Sequence, residues 1–78
     1  MTIGEKIRKL NHAQPFEPFV IYTSDGKALR VKHSDYCFVT PRDAVVYVYD
    51  VQDQETTVAV RNVTRVERHV SEAAHGEE

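Results

Sequence analysis

The chain has 78 residues, 41% hydrophobic and 28% charged, with a formal net charge of −2. That length supports one domain with a small core, burying about 60 to 65% of the surface its unfolded form exposes, so self-association is a natural supplement to stability. The charge excludes a global positive field of the kind that draws nucleic acid, and the single cysteine, Cys37, excludes an internal disulfide.

The first segment, Thr2 to Asn11, has Thr2 and Glu5 at the spacing of a capping box, in which each side chain bonds the other's amide. Ile3, Ile7 and Leu10 follow at i, i+4 and i+7, one helical stripe that must dock on something, because a helix this short is marginal alone. Asn11 and then Pro15 stop it, and Gly4 weakens it slightly. Lys6, Arg8 and Lys9 lie off the stripe and read as a solvated face. Phe16 and Phe19 bracket Glu17-Pro18 in an extended connector whose rings pack under the helix.

Phe19 to Thr23 reads as the first strand. Asp25-Gly26 predicts a two-residue type I′ turn with both residues at positive φ. Lys27 to His33 returns antiparallel, with Leu29 and Val31 on one side and Ala28, Arg30 and Lys32 on the other. Tyr36 to Thr40 is a third apolar run, and Thr40-Pro41-Arg42-Asp43 reads as a turn with proline second. Ala44 to Tyr49 is a continuous β-former, apolar on both faces. Asp50 to Glu55 is a polar loop, and Thr56 to Arg61 a strand with Val58 and Val60 inward. Asn62-Val63-Thr64 bends the chain, and Arg65 to His69 or Val70 closes the sheet with Val66. Residues 71–78 carry no large apolar side chain and read as a disordered acidic tail.

These elements predict a mainly β (α+β) domain over residues 1–70: a short N-terminal helix and a five- to six-stranded antiparallel small barrel, since closure removes exposed edges. No run approaches the roughly 18 apolar residues of a membrane span, and no apolar run follows a basic start. With one cysteine, the expectation is a soluble cytoplasmic protein with no membrane partner.

The stretch H12-A-Q-P-F-E-P-F19, the Asp25-Gly26 turn, V31-K-H-S-D-Y36 and the closing N62-V-T-R-V-E67 resemble a family of small uncharacterised bacterial proteins. That resemblance implies a family type and no activity. The architecture is also similar to Sm-like and SH3-like small barrels. In Sm-like proteins an aspartate with an aromatic or apolar neighbour after the second strand contributes to a base-binding pocket in a ring. Ser34-Asp35-Tyr36 stands in the similar place, with Arg61-Asn62 as a faint echo of the closing signature.

If the chain stays extended, His33, Asp35 and Cys37 share one face, and a cysteine, an imidazole and a carboxylate can make a nucleophilic site. Residues on one strand lie side by side and do not converge on a substrate, and Cys37 between Tyr36 and Phe38 reads as a buried, inert thiol. The four histidines, His12, His33, His69 and His75, have no zinc-ligand spacing. The expectation is therefore no enzyme, no catalytic residue, no metal and no cofactor. The candidate binding residues are Asp35, Tyr36, Tyr47, Tyr49 and Arg61. The favoured function is a module for protein–protein contact or homo-oligomerisation, since tyrosines on strands suit interfaces. The alternative partner is RNA, through Tyr36, Asp35 and the nearby basic side chains.

Overall fold

The computed structural model describes residues 2–50 and 52–68. The expected acidic tail at 71–78, and any extension of the last strand to His69 or Val70, lie outside the described residues. The elements are α1 (Ile3–Asn11), β1 (Phe19–Thr23), β2 (Ala28–Val31), β3 (Cys37–Val39), β4 (Val45–Tyr49), β5 (Glu55–Ala59) and β6 (Val63–Arg68). Short 3-10 turns at Ser34–Tyr36 and Val60–Asn62 precede β3 and β6.

The capping box is formed as its spacing predicts. The Glu5 amide donates to Thr2 Oγ1 at 3.1 Å, and the Thr2 amide donates to Glu5 Oε1 at 2.9 Å. Of the stripe, Ile7 is fully buried, while Ile3 and Leu10 pack partly buried against the core. Full burial of a side chain like Ile7 contributes about 1.5–3 kcal/mol, more than the whole helix gains from propensity. Packing across β6 and β3 therefore holds α1 in place.

The six strands form two three-stranded antiparallel sheets, ordered β2-β1-β6 and β3-β4-β5. Their inward residues meet in one cluster: Phe19, Ile21 and Val31 from the first sheet, Val63 and Val66 from β6, and Cys37, Val39, Val46 and Val48 from the second. β4, expected to be apolar on both faces, is the middle strand of its sheet, with Val46 and Val48 buried and Val45, Tyr47 and Tyr49 half-buried on the other face. Phe16 packs on the cluster with its ring 6.0 Å from that of Phe19.

The first hairpin departs from the expected two-residue type I′ turn. Gly26 has φ of 88°, but Asp25 is not in the positive-φ region. The Gly26 amide donates to the Thr23 carbonyl at 3.0 Å, and the Thr23 amide donates to the Lys27 carbonyl at 3.0 Å. This is a three-residue loop, Ser24-Asp25-Gly26, in which only the last residue needs the left-handed conformation. The physical reason is local. The Lys27 amide donates to Thr23 Oγ1 at 3.2 Å, and the Thr23 hydroxyl also bonds the Asp25 carboxylate, so a side chain closes the loop one residue wider.

The same device recurs twice. The Asp43 amide donates to the Thr40 carbonyl at 2.8 Å with Asp43 at φ 58°, and the Asp53 amide donates to the Asp50 carbonyl at 3.0 Å with Asp53 at φ 64°. Thr40 Oγ1 accepts from the Ala44 and Val45 amides, and Asp50 Oδ1 accepts from those of Gln52 and Gln54. Pro41 holds the second position of its turn, as the sequence indicates.

Candidate binding site

The segment after β2 is not an extended strand end. Ser34–Tyr36 form a 3-10 turn, so His33, Asp35 and Cys37 do not share a face. His33 and Asp35 are exposed, while Cys37 is buried. Burial pushes the Cys37 thiol up to about 12, which leaves almost no thiolate at neutral pH.

This turn is held from α1. Asn11 Nδ2 donates to the carbonyls of Ser34 at 3.3 Å and Cys37 at 3.2 Å. One turn earlier, Arg8 donates to the Thr40 carbonyl and pairs with Asp43 at 2.6 Å. The helix thus satisfies carbonyls at both ends of β3, an outer strand of its sheet. Asn11 is only 8% exposed, and its Oδ1 accepts no hydrogen bond among the described residues.

The expected site residues are distributed over several surfaces. Tyr36 is half-buried, its ring edge-on to His33 at 5.5 Å. It lines a cleft between β2 and the β4-β5 hairpin that also includes Tyr49. Asp35, its sequence neighbour, lines a different groove of about 650 Å³ beside Asn11, Phe38 and Pro41. Tyr47 stands on the outer face of β4, opposite Phe38 of β3. Arg61 is exposed on the 3-10 turn before β6 and lines neither of these clefts. The structure therefore brings Tyr36 and Tyr49 together and leaves Asp35, Tyr47 and Arg61 elsewhere.

On the outer face of the second sheet, Phe38 is 56% exposed, and its ring stacks on Tyr47 with centroids 6.4 Å apart and planes 29° apart. Tyr47 pairs across the ladder with Thr57, and Tyr49 with Glu55. The Tyr49 hydroxyl donates to Glu55 Oε2 at 3.1 Å, and that bond to the carboxylate raises its pKa from the ordinary phenol value. Phe38 is not among the binding residues expected from the sequence. The available signal was the alternation Cys37-Phe38-Val39, but with all three apolar it does not say which face is inward.

On the outer face of the first sheet, the Arg65 guanidinium lies 4.1 Å from the centroid of the Tyr22 ring and pairs with Glu67 at 2.9 Å. Those contacts tie the cation down within the sheet. No helix among the described residues is long and apolar enough to cross a membrane.

No family model matches the chain, and no curated protein matches it. Among solved structures, it is similar to a protein determined by X-ray crystallography as a target of the Northeast Structural Genomics Consortium. The TM-score is 0.54 at 17% sequence identity, over 67% of this chain and 89% of that one, a likeness of fold alone.

Proposed function

We propose that the chain is a non-enzymatic binding module of the small β-barrel type, Sm-like or SH3-like, that associates with a protein surface, foremost a second copy of itself. The barrel reading draws support from the strand orders β2-β1-β6 and β3-β4-β5, with a 3-10 turn before the last strand. The observation that carries the association is the Phe38–Tyr47 stack on the open face of the second sheet. Phe38 is a large apolar ring 56% exposed on a short strand, and a ring so placed gains by being covered. A 78-residue chain has a small core, so a shared face also adds stability.

The test is sedimentation velocity over a concentration series with the whole chain and with Phe38→Glu and Tyr47→Glu. The expected result is concentration-dependent association that both substitutions abolish while the circular dichroism stays unchanged. A chain that stays monomeric at every concentration, with variants indistinguishable from it, overturns the self-association reading.

The RNA reading has less support. It needs Asp35 and Tyr36 to act on one base, and these two side chains line different clefts.

A further inference from the structure

The cleft between β2 and the β4-β5 hairpin encloses about 250 Å³. It is lined by Leu29 and Val48, by Tyr36 and Tyr49, and on the β2 side by Arg30 and Lys32. That volume is below the roughly 300–1,000 Å³ of sites for drug-sized ligands, so it suits a body of single-ring size and not a length of peptide.

The charges decide what kind of ligand. Three charged residues line the cleft: Arg30, Lys32 and Asp50. The ion pairs among the described residues are Arg8–Asp43, Arg65–Glu67 and Arg68–Glu17, so neither Arg30 nor Lys32 has an acidic partner there. Asp50 is engaged with its own loop, where Oδ1 accepts the amides of Gln52 at 2.8 Å and Gln54 at 2.9 Å. The lining thus carries two cations against one carboxylate; that carboxylate is bonded within its own loop, and both cations are exposed. A guanidinium and an ammonium two residues apart match a carboxylate head, which takes charge-assisted hydrogen bonds from each. Tyr36, which lines the same space with its ring edge-on to His33, offers an apolar ring that carries a polar hydroxyl.

We infer that this cleft binds a small organic carboxylate, its anionic head held by Arg30 and Lys32 and its apolar body against Leu29 and Tyr36. The groups that hold the ligand, Arg30, Lys32, Leu29 and Tyr36, lie off the Phe38–Tyr47 stack, so the site needs no association there.

The experiment is a titration of the isotope-labelled full chain, followed by amide chemical shifts, with phenylacetate as the probe and phenylacetamide as its neutral counterpart. The expected result is saturable shifts at Lys32, Tyr36 and Tyr49 with phenylacetate, and at least about tenfold weaker binding of the amide, the loss that follows from one charge-assisted contact. Arg30→Ala with Lys32→Ala lowers phenylacetate affinity by a similar factor, and because both side chains are exposed the spectrum of the free variant stays folded. Linear, unsaturable shifts overturn the inference, as does equal binding of acid and amide or full affinity in the double variant. Saturable shifts at these residues with a short oligouridylate, but not with phenylacetate, replace it with a nucleic-acid site.

Discussion

Gly4 of α1 lies against the side chain of Asp43 so closely that a Cβ at Gly4 would stand 2.7 Å from Asp43 Cγ and 2.8 Å from its Cβ. Asp43 cannot easily retreat. It is the left-handed residue of the β3-β4 loop, and Arg8, one helical turn past Gly4, holds its carboxylate.

Gly4→Ala is therefore expected to destabilise the fold, against helix propensity. The propensity gain is about 1 kcal/mol. The overlap falls on a short side chain anchored at its far end, where overpacking costs about 1–3 kcal/mol. A lower urea midpoint at unchanged slope is the expected outcome, and a higher midpoint would refute the packing account.

Asn11→Ala removes both bonds to the Ser34 and Cys37 carbonyls. The expected loss is about 1–3 kcal/mol, because the Cys37 carbonyl is buried and gains no water in exchange. Asn11→Asp should lose more, since a carboxylate offers no donor and faces two carbonyl oxygens. Hydrogen exchange around β3 should accelerate in both variants; unchanged protection there would mean that Asn11 does not anchor the turn.

At position 53 the expected order of stability is Gly equal to or above Asp, with Val lowest. Asp53 is exposed with φ of 64°, a conformation that costs a β-branched residue about 1–2 kcal/mol and glycine nothing. Thermal melts of the three chains give the order, and a stable Asp53→Val would argue against a left-handed residue there.

Acidification should weaken the start of α1. The Thr2 amide hydrogen bond holds the Glu5 carboxyl below its ordinary value of 4.5. A carboxylate depressed in the folded state contributes stability that is fully present above pH 4.5 and is lost as pH falls through the lower folded value. The stability difference between the native chain and Glu5→Gln, measured by urea unfolding across this range, is expected to shrink toward the acid side. A difference that is flat with pH would mean that the ionised form gives the cap nothing extra.

Elements governed by neighbours in sequence were legible before any fold was known. Thr2 and Glu5 sit three residues apart, and their mutual bonds need only one helical turn. Phe19 to Thr23 forms a strand over the expected residues, and the β-forming run Ala44 to Tyr49 contains the strand Val45–Tyr49. The expected run from Tyr36 to Thr40 is shortened to Cys37–Val39, because Ser34–Tyr36 form a 3-10 turn closed by the Tyr36 amide on the His33 carbonyl, and Asn11, distant in sequence, bonds the Ser34 and Cys37 carbonyls beside it. That long-range bond has no local signature.

The sequence alone determined the helix, its cap and the body of most strands, because capping and β-propensity act within a few residues; the width of the first hairpin loop and the start of β6 at Val63, inside the expected bend, were not legible there. The tertiary structure decided which apolar ring is left out. Cys37 and Val39 turn toward the core and leave Phe38 on the surface, a choice set by the pairing of β3 with β4 and not by the three residues themselves. It also separated Asp35 from Tyr36 and joined Tyr36 to Arg30, Lys32 and Tyr49 across two sheets. Such groupings depend on how distant strands pack, and residue spacing along one chain carries no record of that.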